Sequence, residues 1–407
     1  MSSRLRIAML VGTFPVVSET FIMRQINGLL DLGHEVEIIA NARGATDTPE
    51  HPELNKHELM RRVRYVEGPP ESLEWELPVW PLTGRTWPPG SEVSQPNWRR
   101  LARVLPRLAR CLVSAPVTTC RVLSARAYGY RAASFSMVYR LHRLLPLRRR
   151  YDVLHAQFGP TGNSFRFARE LCGVPMVVSF HGYDFSTRPR LEGRGMYEAL
   201  FRTCDRVIAN SSYTRDQLAG LGCPLDRMDV LPVGLDTREF AAVERRLKPG
   251  EPVRVLSVGR LVEIKGHENV LRAVGQLCGQ GRLVRFDLVG EGPLRGRLEA
   301  VVEELGLKDV VVFHGARTSG EVREWMAAAH LFVMASIQVD GDREGQGLVL
   351  QEAQASGLPV VATNHGALPE GMLSERSGFL VPEGDVGELA RRLGWLMDRP
   401  HLWGEMG

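Results

Sequence analysis

The amino-acid sequence predicts an α/β protein built from two doubly wound halves, each a parallel sheet wrapped by helices. Three observations carry that expectation. Short apolar runs fit for buried strands alternate with helical stretches along most of the chain. The alternation begins twice, at Arg4 and again at Arg254, and a polar segment with several Pro and Gly, Ala241–Pro252, separates the two series. Finally, 407 residues that are 44% hydrophobic and 24% charged make an ordinary globular chain, long enough for two or three domains of roughly 150 residues.

In the first half, Arg4–Val11 reads as a buried strand, Gly12 as a turn and Ser18 as the N-cap of a helix. Phe21, Ile22, Ile26, Leu29 and Leu30 repeat at helical spacing until Gly33, and Val36–Ala40 is the next strand. Strand, helix and strand in that order form a right-handed crossover. Pro49–Pro96 reads as an irregular excursion, and Trp98–Arg149 as two or three helices interrupted near Pro106, Pro116 and Pro146. The alternation resumes with strands at Val153–Gln157, Met176–Phe180 and Arg206–Asn210, helices from Asn163 and over Ser212–Leu221, and a closing strand at Val230–Gly234. In the second half, strands are expected at Arg254–Val258, Arg285–Val289, Val310–Phe313, Leu331–Ala335, Val360–Thr363 and Phe379–Val381. Domain boundaries at 1–240 and 253–407 follow, with a basic helical insertion at about 98–150 and a ligand cleft at the carboxyl ends of the strands.

Composition excludes several classes. The longest charge-free stretch is Ala353–Pro369, short of the ~20 apolar residues of a membrane span and broken by Gly, Pro and polar residues. The N-terminus lacks the apolar core and cleavage site of a signal peptide. Six cysteines without a CxxC pair read as free thiols of a cytoplasmic protein, and eleven histidines show no metal-ligand spacing. The net charge is +4, yet Val93–Tyr151 holds thirteen arginines and no acid. That segment reads as a basic surface suited to an anionic membrane, with Trp98, Tyr128, Tyr130 and Tyr139 near the headgroups. It contains no recognisable nucleic-acid-binding module.

Candidate chemistry falls in loops at strand ends. Gly259-Arg260-Leu261-Val262-Glu263-Ile264-Lys265-Gly266 places two cations at a helix start, a cradle for a diphosphate. Gly290-Glu291-Gly292-Pro293 reads as a glycine-rich turn with Pro293 at the first helical position. Glu344 and Glu352 lie eight residues apart around Gly345-Gln346-Gly347, spaced so that both carboxylates can accept hydroxyls of a ribose or sugar. In the first half, His181-Gly182-Tyr183-Asp184 follows an apolar strand, and Gly12-Thr13-Phe14-Pro15 follows the first one.

These loops together resemble the retaining GT-B glycosyltransferases of glycosyltransferase family 4. The similarity runs from Ile7 to about Leu396, through GRLVEIKG at 259–266, VGEGP at 289–293, FHG at 313–315, EGQGLVLQE at 344–352, AxGLPVVAT at 355–363 and LPE at 368–370. It implies two Rossmann-like domains and transfer of a hexose from UDP- or GDP-sugar to a lipid-linked or oligosaccharide acceptor in cell-surface polysaccharide synthesis, without a metal cofactor. By the resemblance Arg260 and Lys265 hold the donor diphosphate and stabilise the leaving group. Glu352 grips the ribose, while Glu344 with the amides of Gly345, Gln346 and Gly347 contacts the donor sugar. His181 approaches that sugar, Gly12 and Gly290 lie near the phosphates, and His314, Gly315 and Ala316 lie near the base. Two departures stand out: Gly366-Ala367 replaces the usual Gly-Gly, and the chain ends at Gly407, where family members continue into a segment that crosses back to the first domain. A nucleotide-sugar epimerase on the same fold would need further acids in the cleft, and a non-catalytic nucleotide-sugar-binding module would not need all four of Arg260, Lys265, Glu344 and Glu352.

Overall fold

A computed structural model describes residues 4–16, 19–44, 52–66, 97–128, 132 and 135–407. The expectations for Ser18, for 67–96, for Tyr130 and for the side chain of Trp98 lie outside the described residues. The chain divides into two units. The first comprises Met1–Phe180, Arg188–Ala209 and Gln217–Val230; the second comprises His181–Thr187, Asn210–Asp216 and Leu231–Gly407.

The sheet of the first unit contains β1 (Arg6–Phe14), β2 (Glu35–Arg43), β3 (Val63–Tyr65), β4 (Val153–Gln157), β5 (Met176–Phe180), β6 (Arg206–Ala209) and β7 (Met228–Val230). All pair in parallel in the order β3-β2-β1-β4-β5-β6-β7. The helix Thr20–Asp31 turns Ile22, Met23 and Ile26 onto Ile7, Met9, Val36 and Ile38. Four local expectations need correction. The stretch 49–96 contains β3 and a short helix, Pro52–Asn55. The closing strand ends at Val230 instead of starting there. The helix after β4 starts at Gly159, because Gly159-Pro160 forms its first turn, where a missing proline N–H costs nothing. Pro106 lies inside the helix Asn97–Ser114, where burial of Val104 and Cys111 outweighs the lost hydrogen bond.

The basic segment forms the helices Asn97–Ser114, Pro116–Val122 and Ser136–Leu144. Part of its charge is engaged inside the first unit. Arg140 is buried, which pushes its pKa down to about 10. Arg121 pairs with Glu170, Arg150 reaches Glu37 at 3.2 Å, and Arg143 donates to the Tyr65 carbonyl at 3.2 Å. Tyr128 lies beneath the Arg166 guanidinium at 4.4 Å, so it is no free headgroup anchor. Leu105, Leu112, Val113 and Val117 are exposed, with Arg110 and Arg126 exposed nearby in the chain. No described helix is long and apolar enough to cross a membrane.

The second unit holds β8 (Val253–Val258), β9 (Val284–Val289), β10 (Val311–Gly315), β11 (Leu331–Met334), β12 (Val360–Thr363) and β13 (Gly378–Val381), all parallel in the order β10-β9-β8-β11-β12-β13. Alternate residues feed two separate cores: Val255, Val333 and Val361 on one face, Leu256, Phe332 and Val360 on the other. Burial on both faces is why these strands read as continuous apolar runs. Strand order reverses between β8 and β11, the switch point where loops of a doubly wound sheet splay apart and ligands bind.

The polar hinge read at 241–252 has a buried anchor. Arg245 is 8% exposed, and its guanidinium donates to the carbonyls of Val243, Met326, Ala329, Ser356 and Gly357 at 2.7–3.1 Å. Four of these acceptors lie at the C-terminal ends of the helices Ser319–Ala328 and Leu348–Ala355, where a cation is favoured. Burial lowers the Arg245 pKa to about 10, so the group stays charged at neutral pH. Arg245→Met leaves these carbonyls without their donor and is expected to destabilise the second unit by about 3 kcal/mol or more, measured by urea unfolding. Arg245→Lys, with three donors instead of five, recovers only part of the loss.

Candidate functional site

The loops after β8 and β11 meet at the switch point of the second sheet. Lys265 closes a single turn, Glu263–Lys265, and Gly266 at φ +60° leads into the helix His267–Gly279. A Cβ on Gly266 would lie 1.9 Å from the Ala335 carbonyl oxygen, so only glycine lets the two loops come this close. The result is an ion pair: Lys265 Nζ donates to Glu344 Oε1 at 2.5 Å, with both side chains largely buried. Ser336 Oγ donates to the same oxygen at 3.2 Å. Burial would raise the Glu344 pKa, but the Lys265 ammonium and the Ser336 hydroxyl outweigh it and hold the carboxyl below its ordinary range.

Arg260 follows β8, is exposed, and has no ion-pair partner among the described residues. Its carbonyl accepts a hydrogen bond from His267 Nε2 at 3.2 Å. His267 is buried, which depresses its pKa to about 4 and keeps it an uncharged donor. Gly290 after β9 packs face to face with Gly259, where a Cβ would stand 1.9 Å from the Gly259 oxygen. Gly290 N–H donates to Gly315 O at 2.9 Å, which ties the third loop of this edge to the second. Pro293 precedes the helix Arg295–Glu304 by two residues and is not its first residue. His314 Nε2 lies 2.8 Å from Asp287 Oδ1 with its ring against Trp325 at 3.8 Å.

Gly345, Gln346 and Gly347 lead from Glu344 into the helix Leu348–Ala355, whose fifth residue is Glu352. The Gln346 side chain is engaged with the backbone of Val233, accepting at 2.9 Å and donating at 3.0 Å, which leaves its amide N–H as the group on offer. Gly345 stacks on the His181 carbonyl, where a Cβ would be 1.9 Å away. His181 is held by its backbone: its N–H donates to Asp184 at 3.1 Å and its carbonyl accepts from Asn210 at 3.0 Å. Gly12, expected in a turn after the first strand, lies inside β1 of the first unit, because the strand runs on to Phe14; a Cβ there would have ordinary space beside Thr161.

The second unit therefore brings together Lys265, Glu344, Gly345 and the backbone of His181, and arrays Arg260, Gly290 and Gly315 along its strand ends. Sequence reasoning did not identify Ser336, His267, Asp287, His365 or Glu383. Only His365 carried a local signal, lying between two motifs, AxGLPVVAT and LPE.

A doubly wound unit with two cations, left-handed glycines and a buried carboxylate at its strand ends is an α/β domain whose strand-end loops suit an anion. With a second parallel sheet in the same chain, it has the architecture of two-domain glycosyltransferases. Residues 18–234 match the family model of the glycosyl transferase 4-like domain, and residues 240–406 that of the group 1 glycosyl transferases. The chain belongs to this glycosyltransferase family, family 4, and is a glycosyltransferase. It is 33% identical to a protein of Salmonella typhimurium named as a candidate colanic acid biosynthesis glycosyltransferase, WcaL, over 96% of this chain and 90% of that one. It is 29% identical to the amylovoran biosynthesis glycosyltransferase AmsK of Erwinia amylovora, over 93% and 87%. Among solved structures, Anabaena Alr3699/HepE in complex with UDP superposes with a TM-score of 0.69 at 19% identity, covering 99% of this chain and 92% of that one. The same protein in complex with UDP-glucose gives 0.66 at 18% identity, with the same coverage. These confirm the GT-B fold.

Removing Lys265 tests the ion pair. Lys265→Met leaves Glu344 buried and uncompensated, so the variant is expected to lose about 3–5 kcal/mol at pH 7. With the ammonium gone, burial, the largest influence on Glu344, is opposed mainly by the Ser336 hydroxyl and is expected to raise the carboxyl above its unfolded value. The folded variant then takes up a proton that the unfolded chain does not, so the deficit shrinks toward about pH 5. The wild-type carboxyl has the opposite sign: its lowered pKa contributes stability above the ordinary carboxylate range that is lost only as pH falls through the lowered value. Urea unfolding at both pH values reads this out, and Lys265→Met/Glu344→Gln should recover part of the loss.

Proposed function

We propose that the protein transfers a hexose from a nucleoside-diphosphate sugar to a saccharide acceptor with retention at the anomeric carbon and without a metal ion. The observation that carries this reading is the Lys265–Glu344 pair beside the unpaired Arg260, at the strand ends where a doubly wound sheet binds anions. Arg260 and Lys265 meet the diphosphate, Gly290 allows its close approach, and Glu352 accepts the ribose hydroxyls. Glu344 and the amides of Gly345, Gln346 and Gly347 meet the donor sugar. His181 approaches that sugar, and the His314–Ala316 turn with Gly315 receives the base. Cleavage of the glycosyl–phosphate bond builds negative charge on the diphosphate, and fixed cations there lower the barrier. The acceptor hydroxyl attacks from the face the diphosphate leaves, and a phosphate oxygen takes its proton.

The relatives' names assign them to colanic acid and amylovoran biosynthesis, which favours a lipid-linked saccharide acceptor in exopolysaccharide synthesis. The complexes of the Anabaena protein favour a uridine donor. The acid-free segment, exposing Leu105, Leu112, Val113 and Val117 beside Arg110 and Arg126, suits the cytoplasmic face of a membrane rich in anionic lipid.

Thermal shift with UDP, GDP and their hexoses tests the donor site. A stabilisation by one base family is expected to survive EDTA and to shrink strongly in Arg260→Ala. No shift with any nucleotide would sink the reading. Flotation with anionic vesicles tests the membrane face: the protein should float, and should stay down when Arg99, Arg100, Arg103, Arg107 and Arg148–Arg150 are neutralised together.

A further inference from the structure

Behind Glu344 lies a polar chain that the catalytic reading does not use. The side chain of His365 is fully buried. Its Nδ1 lies 2.9 Å from Glu383 Oε2, and its Nε2 lies 3.2 Å from the backbone nitrogen of Glu344. A backbone N–H can only donate, so Nε2 must be the acceptor, and the ring proton must sit on Nδ1, donated to the carboxylate. Glu383 in turn accepts the backbone N–H of Gln338, in the loop that runs from β11 to Glu344. The clamp closes on the other side of the peptide too: Ala367 N–H donates to Glu344 O at 3.1 Å, and Gly366, at φ +53°, lets the chain pass where a Cβ would be 2.3 Å from that oxygen.

We propose that His365 and Glu383 are positioning residues for Glu344: the neutral Nδ1–H imidazole fixes the backbone from which the Glu344 carboxylate is aimed, and so sets recognition of the sugar half of the donor. The inference rests on the donor reading above. It assigns His365 no contact with substrate. A protonated imidazole would turn an N–H toward the Glu344 N–H and lose the hydrogen bond by which His365 holds that loop. The charged groups around the ring are Glu383, the Glu344 carboxylate, Lys265 through its pair with Glu344, and Arg343 beside Glu383. Glu383 is held below its ordinary range, burial being outweighed by the Gln338 N–H and by His365, so it stays an ionised acceptor for the ring Nδ1–H.

The chain of contacts predicts a selective defect. His365→Gln keeps an amide oxygen within reach of the Glu344 N–H, whereas His365→Leu offers none. The Leu variant should raise KM for the nucleotide sugar about tenfold, the worth of roughly one hydrogen bond, while affinity for the nucleoside diphosphate alone, measured by calorimetry, stays within about twofold. The Gln variant should recover most of that KM. Histidine 15N NMR on the wild type, assigned by difference from His365→Gln, reads the tautomer with no need for a stable Leu variant: an Nδ1–H signature is expected. An Nε2–H tautomer, or equal KM in the Gln and Leu variants, would overturn the proposal. Wild-type protein that binds no nucleoside diphosphate would instead overturn the donor reading, so the two failures are distinguishable.

Discussion

A carboxylate buried at the strand ends of the second unit has to stay ionised, and most of the local architecture follows from that constraint. An isolated charge in such a place costs several kcal/mol of lost solvation, more than one ordinary hydrogen bond returns. Glu344 meets the cost with Lys265 at 2.5 Å and Ser336 at 3.2 Å on the same oxygen. That geometry requires the loops after β8, β11 and β12 to cross within van der Waals distance. Gly266 against Ala335 and Gly366 against Glu344 allow it, because any side chain at either position would collide with a carbonyl oxygen. Thr363 Oγ1 fixes the same crossing by donating to Ser336 O at 2.6 Å. The glycines and the charge pair are thus one device, and neither is intelligible without the other.

How much of this was legible before the structure depends on whether the information is local. Strands β4, β5 and β12 were read to the residue, because a parallel strand buried on both faces is a bare apolar run with polar ends. β3 was missed because three residues with Arg64 at the centre carry no such pattern. The helix through Pro106 was missed because the local rule against proline was overridden by packing of the apolar face. At the site, Lys265 and Glu344 stood out as charged residues in glycine-rich loops at strand ends, yet the ion pair itself spans 79 positions. Arg245 and His365 were opaque for a related reason. Arginine in a Pro/Gly-bearing segment looks solvated, and a histidine between two motifs looks incidental, until burial shows that each must satisfy its partners inside the fold.

The charge imbalance of residues 93–151 has a similar explanation. Thirteen arginines without an acid look like one continuous basic surface when read along the chain. In the folded unit, acids from elsewhere serve them: Glu170 for Arg121 and Glu37, on β2, for Arg150. Carbonyl oxygens serve Arg143 and Arg148. Part of the missing negative charge is therefore complementarity between the helices and the sheet they cover. The positive surface left over is smaller than the count suggests, and it is interleaved with exposed aliphatic side chains of the helices Asn97–Ser114 and Pro116–Val122.

The two cations of the candidate site start from different positions. Arg260 is exposed and carries an uncompensated charge, so it can attract an anion at long range and engage it with little loss of existing interactions. Lys265 is already neutralised by Glu344, so on the proposed donor reading a diphosphate gains from it only by sharing or replacing that partner. In the ground state the exchange yields little, because one charge-assisted bond is traded for another. As a leaving group gathers negative charge, its attraction for the ammonium grows while that of Glu344 stays fixed. An ion pair of this kind spends little binding energy on the bound substrate and reserves its contribution for the transition state, which is the form of stabilisation that accelerates a reaction instead of merely tightening a complex.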